Sequence, residues 1–116
     1  MANIGGNMQG VLQTQSSTKN RIGEPSKTWA DAVTLTGWLG LQSGDSKYVN
    51  YNAKVQESTH VFLCDYNTDA YVLAGKDTRM IIKNQVYDVM LIDNPDEMDE
   101  QLEIYLKLVG GIDAGN

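Results

Sequence analysis

Short runs in which apolar and polar residues alternate dominate this sequence and constrain its fold more than any other feature. Between Leu102 and Leu108 every second residue is leucine or isoleucine, as in a half-buried β-strand. The same stretch also allows a helix, with Asp99 as its cap and Gly110 as its stop. A helix would leave Ile104 and Leu108 off its apolar face, so we predict a strand.

The segment 28–42 also has the pattern of a strand. Gly37 inside it indicates a bulge or a close approach of another backbone. Trp38 is predicted to face away from the apolar side of this strand, because side chains alternate between the two faces. That apolar side consists of Val33, Leu35, Leu39 and Leu41.

Four more segments complete the predicted sheet. Residues 54–66 read as the longest strand, and residues 8–12 as a short one. Residues 77–83 and 86–93 are predicted to form the two strands of a hairpin. Its turn lies at 83–85, where Asn84 tolerates a left-handed conformation. Its second strand is expected to present one apolar row, made of Tyr87, Val89 and Leu91.

The connecting segments are predicted from their polar composition. Residues 13–27 are rich in Ser, Thr, Asn, Gly and Lys and predict a long loop, and residues 67–76 predict another with an apolar middle at 71–74. A short α-helix is expected from Asp45 to about Ala53, capped by Ser43 or Asp45.

These elements predict one mainly β domain over residues 1–116, with about six strands, one short α-helix and long loops. Strands at this spacing are typical of a small barrel or sandwich. We expect a flexible N-terminal arm at 1–7, the β domain at 8–109 and a C-terminal tail at 110–116. A domain of this length buries roughly 60–70% of the surface that its unfolded chain exposes, which is enough for independent folding.

Charge argues against a protein that wraps nucleic acid. Nine basic and fifteen acidic side chains give a net charge of -6, and residues 93–116 hold one basic and seven acidic groups. Binding to phosphate backbones depends on Lys and Arg, which displace counterions. The single Cys64 allows no intramolecular disulfide, and we expect a cytosolic chain without a signal peptide or a membrane segment.

The sequence offers no catalytic, cofactor or metal signature. His60 and Cys64 have the customary reactivity of a base and a nucleophile, but no motif surrounds them, and we expect both to be sheet residues. The acidic run 93–100 lacks the glycine and the glutamate spacing of a calcium-binding loop. We therefore predict no catalytic residue, no cofactor and no metal site.

Three blocks of sequence resemble the head–tail joining family of tailed bacteriophages, also called head-closure or stopper proteins. The first is Thr28–Asp31 (TWAD) with the strand 38–42, and the second is Ser43–Tyr48 with the strand 59–63. The third and most specific is 77–89, which is similar to the family's Met-Arg-Val…Gly…Tyr-Asp-Ile hairpin, although Asn84 stands where the family has glycine. The resemblance spans about residues 28–109.

The resemblance implies a small β-barrel that assembles as a homo-oligomeric ring in the neck of the virion. The ring would lie below the portal and adaptor, hold packaged double-stranded DNA in the head, and bind a tail-completion or tail-tube protein. Assembly would take place in the host cytoplasm, without a membrane partner and without enzymatic activity.

Two loops are candidates for the contacts of such a ring, because surface loops carry most binding functions. The candidate plug, which would face the channel, is Asn67, Thr68, Asp69, Ala70, Tyr71, Val72, Leu73 and Ala74. It is chosen because its apolar middle would be poorly solvated on a monomer. The candidate partner-contact residues are Asn20, Arg21, Glu24 and Lys27.

Two other functions remain compatible with the sequence. Another neck or tail-completion ring protein would share its composition and fold class. A single-stranded nucleic-acid-binding module of the OB type would use aromatic stacking, for which the chain has six tyrosines, but its basic residues are scattered.

Overall fold

A computed structural model describes residues 5–19, 25–41 and 58–111. These contain six β-strands, one short α-helix and a 3₁₀ turn at Pro95–Glu97. In chain order the elements are β1 (Met8–Lys19), β2 (Pro25–Leu41), β3 (His60–Asp65), α1 (Thr68–Tyr71), β4 (Thr78–Ile82), β5 (Gln85–Asp93) and β6 (Gln101–Gly111).

The strands form one antiparallel sheet that closes on itself. Their order is β1-β2-β3-β6-β5-β4, and β1 pairs with β4 as well as with β2. Each strand therefore has two neighbours over part of its length, so few backbone groups are left at an edge. The predicted mainly β fold with about six strands is confirmed.

The interior of this ring of strands is filled by alternate residues from all six strands. Phe62, Met80 and Leu12 are fully buried, as are Leu102, Ile104 and Leu106 of β6. That alternation confirms the strand, and not the helix, for this last segment. Leu108 is 43% exposed because it lies beyond the part of β6 that pairs with β3.

The β4–β5 hairpin turns where the sequence predicts it. Lys83 and Asn84 have φ values of 48° and 63°, the left-handed geometry of a two-residue hairpin turn. The predicted apolar row of β5 is wrong at Leu91. A register shift between Val89 and Leu91 reverses the alternation, so Leu91 pairs with the outward Tyr105 and Ile92 is buried instead.

The predicted loop 13–27 is wrong over most of its length. β1 continues to Lys19 and β2 begins at Pro25, and the two strands pair residue by residue from Gln13↔Asp31 to Lys19↔Pro25. Polar composition misled the prediction, because a strand needs apolar alternation only where one of its faces covers a core. Beyond Thr14 this pair of strands forms a two-stranded ribbon that extends past the closed part of the sheet.

Two further elements differ from prediction, and three other predicted segments are not described. The longest strand is β2, with 17 residues, whereas β3 has six and begins at His60. The predicted loop 67–76 contains α1. The helix predicted at 45–53, the residues 1–4 of the predicted arm and the residues 112–116 of the predicted tail lie outside the described residues.

Trp38 faces outward, as predicted, and is 47% exposed. Leu41 is predicted on the buried side, but it is 82% exposed at the end of β2, where it pairs with His60, the first residue of β3. The bulge in β2 lies at Ala32, which is skipped between the pairs Leu12↔Val33 and Gln13↔Asp31.

Gly37 marks a close approach of two strands. A Cβ atom added there would lie 2.2 Å from the backbone oxygen of Leu63 and 3.0 Å from the Cβ of Cys64. Neither strand can retreat without losing its pairing, so this position accepts no side chain. Gly40, in the same strand, has no neighbouring atom within 4 Å of the equivalent point.

We expect Gly37→Ala to lower the free energy of unfolding by about 2–3 kcal/mol, since overpacking costs this much in a closed core. Gly40→Ala is the control and should change stability by less than about 0.5 kcal/mol. Urea unfolding followed by circular dichroism measures both. Equal stabilities of the two variants would show that the strands yield at Gly37.

Candidate functional site

His60 and Cys64, the two reactive side chains of β3, are held as sheet residues. The half-buried His60 ring meets the Tyr87 ring edge to face at 5.2 Å, and its Nδ1 lies 2.9 Å from Oγ1 of Thr59. Cys64 is 1% exposed within the core. Burial, and secondarily the charge of Asp65, raise the pKa of the Cys64 thiol to about 11. A buried thiol of this kind is a poor nucleophile at neutral pH.

Part of the candidate plug packs against the chain's own core. The Asn67 side chain caps α1 by accepting a hydrogen bond from the N–H of Ala70 at 3.0 Å. Ala70 is fully buried and Leu73 is 8% exposed, whereas Val72 is 58% exposed. Within the apolar middle 71–74, Leu73 is therefore buried and Tyr71 half-buried in the monomer, whereas Val72 and Ala74 are exposed.

The candidate partner-contact residues are only partly placed. Asn20, Arg21 and Glu24 lie outside the described residues, and Lys27 belongs to β2, where its backbone pairs with Ser17. The described residues nearest to them form the ribbon of Gln15–Lys19 and Pro25–Trp29. A partner that contacts residues 15–19 or 25–29 meets a paired β-ribbon.

A polar row that the sequence did not predict anchors the base of this ribbon. Arg79, 6% exposed, donates from Nε to Oε1 of Gln13 at 2.7 Å, and Gln13 donates from Nε2 to Oδ1 of Asp31 at 2.7 Å. The Trp29 ring covers the Arg79 guanidinium at 4.4 Å. A cation on a ring face in a partly desolvated place contributes on the order of 1–2 kcal/mol, so the ribbon is fixed where it leaves the sheet.

The outer face of β2, β3, β6 and β5 carries an apolar patch. In successive rows, Trp38 pairs with Leu63, and Val61 pairs with Tyr105, which pairs with Leu91. The Tyr105 hydroxyl donates to Glu103 at 3.0 Å, at the border of the patch. We call these five residues, Trp38, Val61, Leu63, Leu91 and Tyr105, the outer apolar face.

Charge divides the two ends of the sheet. The end at which β3 and β5 finish and β4 and β6 begin holds the acidic residues Asp65, Asp69, Asp77, Asp93, Asp96, Glu97, Asp99 and Glu100. Among the described residues, Lys83 and His60 lie at the opposite end, and Asp88 lies within β5 between the two ends, where it pairs with Lys107. The charge asymmetry of the sequence is thus an asymmetry in space.

The acidic turn after β5 is organised by its own hydrogen bonds. Asn94, 6% exposed, donates to Oδ1 of Asp99 at 2.7 Å and accepts from the N–H of Asp99 at 3.1 Å. Within residues 5–19, 25–41 and 58–111, no three His, Cys, Asp or Glu side chains are grouped so that they could hold a metal ion. In the same part of the chain, no helix is long and apolar enough to span a bilayer.

Comparison with known families decides what this fold belongs to. The family model described as phage head completion protein matches residues 7–108, a range that includes almost all of the six strands. The chain belongs to the phage head completion protein family. The match agrees with the head–tail joining resemblance of residues 28–109 and extends it through β1.

A solved structure shares the fold of this head completion protein. The solution structure of protein SF1141 from Shigella flexneri 2a superimposes with a TM-score of 0.66 at 19% sequence identity, covering 93% of this chain and 96% of that one. At this identity the likeness concerns the fold alone. No curated protein matches the chain significantly.

The features that sequence reasoning missed in this head completion protein all depend on distant pairing. Arg79 and Gln13 are 66 positions apart, and nothing local predicts that a tryptophan covers the arginine. The ribbon had one usable signal, the threonines and the single tryptophan among its polar residues, since both types favour strands.

The Cys64 thiol gives a pH prediction. Its pKa is raised in the folded protein, so the unfolded chain ionises first, and stability is full below about pH 9 and falls as pH rises towards 11. Between pH 9 and 10 the free energy of unfolding should fall by up to about 1 kcal/mol more in the parent than in Cys64→Ala, which has no thiol to ionise.

Chemical unfolding of both proteins at each pH measures their free energies of unfolding. The smaller side chain shifts stability equally at every pH, so we compare how steeply the free energy of each protein falls with pH. The thiol of the folded parent should also resist iodoacetamide at pH 8 and react once urea unfolds the chain. Rapid labelling of the folded protein would contradict the burial of Cys64.

Proposed function

We propose that this protein is a structural subunit of the neck of a tailed bacteriophage. Copies of it would form a ring that docks below the portal and adaptor, closes the DNA-filled head and offers a surface for tail attachment. The observation that carries this proposal is the match to the head completion family over residues 7–108. The closed ring of strands serves, in this proposal, as the small β-barrel that the resemblance implies.

The surfaces of the protein suit a ring subunit. In a closed ring each copy meets its neighbours through two different patches, and the parts that face neighbours need not form a reactive cleft. The outer apolar face has five residues, whereas a stable interface uses roughly 20–30 residues on each side. It therefore favours a contact that forms on a preassembled portal and adaptor over strong self-association in solution.

The acidic end of the sheet suits a component next to packaged DNA. Like charges remove the counterion-release attraction that makes basic proteins adhere to the phosphate backbone. Double-stranded DNA passing through such a ring would meet a surface to which it does not adhere. This contact would be independent of DNA sequence.

The geometry of the four tyrosines that the structure describes disfavours single-stranded nucleic-acid binding. Tyr87 is 5% exposed inside the core, Tyr66 and Tyr71 pack against the core and each other at 6.1 Å, and Tyr105 is bonded to Glu103. Stacking platforms need rings whose faces are open to bases along a basic groove. A tail-completion subunit remains the nearest alternative, since it would need the same fold.

Disruption of the gene tests the proposal. We expect cells infected with the disrupted phage to accumulate free tails and heads that package DNA but fail to retain it or to bind tails. Purified protein added to such an extract should restore infectious particles in proportion to its concentration. Normal heads with attached tails in its absence would rule out a neck function, and defects confined to the tail tip would indicate a tail protein.

The plug proposal is tested at Val72, the exposed large aliphatic residue of the segment 67–74. Deletion of the segment would remove Ala70 and Leu73 from the core and so would test folding instead. We expect Val72→Asp to leave the melting temperature within about 2 °C of the parent and to yield heads that leak DNA.

Leu41→Asp is the matched control, because Leu41 is also an exposed aliphatic residue but lies at the opposite end of the sheet. Sensitivity of the packaged DNA to nuclease, measured on purified heads, compares the two variants. Full protection in Val72→Asp heads would place the plug elsewhere.

A further inference from the structure

A gap in the sheet lies next to the short strand β4. β4 begins at Thr78, whereas both of its neighbours continue past that point. β1 pairs with β4 only at Val11–Thr14 and then runs on to Lys19. β5 pairs with β4 only at Gln85–Asp88 and then runs on to Asp93.

The width of this gap follows from the pairing of β4 with β1 and β5 next to it. Since β4 lies between β1 and β5, these two strands are separated by two strand spacings, roughly 10 Å, at the level of Thr78. The last bond from β1 across to the β4 segment is donated by the N–H of Gln15 to the backbone oxygen of Asp77 at 3.4 Å. Within the described residues, no strand pairs with this edge of β5 beyond Asp88.

A cleft of about 540 Å³ occupies this place. Gln15 and Trp29 form one wall, residues 88–92 of β5 form the other, and residues 73–78 close the end. An added strand would lie where β4 would be if it continued. Its backbone could bond to the edge of β5, and its alternate side chains would point to Leu73 and Ile92 or outward.

The charges around the cleft define what this strand would be. Asp77 and Asp88 line the cleft with the single cation Lys76, and the surrounding end of the sheet is the acidic one. Basic side chains on the outward positions of the bound strand would complement these carboxylates. DNA lacks the backbone N–H groups and carries the wrong charge, and a second copy of this acidic chain is disfavoured by the same repulsion.

We propose that the cleft beside the start of β4 binds an extended segment of a partner protein in which apolar and basic residues alternate, and that this segment extends the sheet as a strand. The site depends on the contacts of this chain alone. It holds whether the partner belongs to the head, to the tail or to another assembly.

The probe is a synthetic peptide of about eight residues in which Val and Lys alternate, a length that spans the edge of β5. The same peptide with Glu in place of Lys is the charge control. Titration into the isotope-labelled full chain should shift the amide resonances of residues 89–92 and saturate in the micromolar range. The Glu peptide should leave these resonances unchanged.

Ala74→Trp tests the location, because Ala74 is exposed and lines the cleft. Filling the cleft should weaken binding of the Lys peptide at least about tenfold. Ala30→Trp introduces the same side chain at another exposed alanine, which alternation places on the face of the ribbon opposite Trp29 and which does not line the cleft. It should bind the peptide as the parent does.

A second pair of variants separates the cleft from diffuse attraction to the acidic end. Asp77→Lys and Glu100→Lys change the net charge equally, but only Asp77 lines the cleft. Asp77→Lys should weaken binding several-fold more than Glu100→Lys. The proposal would be overturned by equal losses of affinity in the two lysine variants or by equal effects of the two tryptophan variants. It would also be overturned by resonance shifts that map to the outer apolar face, or by binding that does not saturate at millimolar peptide.

Discussion

The pairing of β1 with β4 is the contact on which the rest of the structure depends. Over Val11–Thr14, β1 is bonded to β2 on one edge and to β4 on the other. This second pairing joins residues more than 60 positions apart and turns an open sheet into a closed one. The buried pair Leu12↔Met80 lies at its centre, so closure and core formation are the same event. Without this pairing both strands would present unprotected edges.

Closure also decides where a partner can bind. The interior is occupied by side chains, so binding is left to the outer face, the two ends and the places where strands of unequal length leave a gap. The short β4 creates such a gap beside the long β1 and β5, and the Trp29–Arg79–Gln13 cluster holds the ribbon that forms one wall of it. Membership of the head completion family implies interaction with other phage head or tail proteins, and these external places are available for it.

Local pattern was a good guide wherever one face of a strand covers the core. The alternation in β6 and the turn at Lys83 and Asn84 were predicted correctly, because burial and backbone conformation are both readable from neighbouring residues. Local pattern failed where a strand extends beyond the core and where a bulge interrupts the alternation. The ribbon was predicted as a loop because it is polar, and Leu91 was placed inside because a bulge cannot be recognised from alternation.

The sequence by itself determined the strand-rich composition, the hairpin, the acidic C-terminal part and the unreactive setting of Cys64 within an apolar run. Only the tertiary structure decided that the acidic residues gather at one end, that Ala70 of α1 and Leu73 after it are buried in the core, and that Trp29 covers Arg79. The physical reason is distance along the chain. Alternation and turn preference act over a few residues, whereas closure of the sheet brings together side chains that no local rule relates.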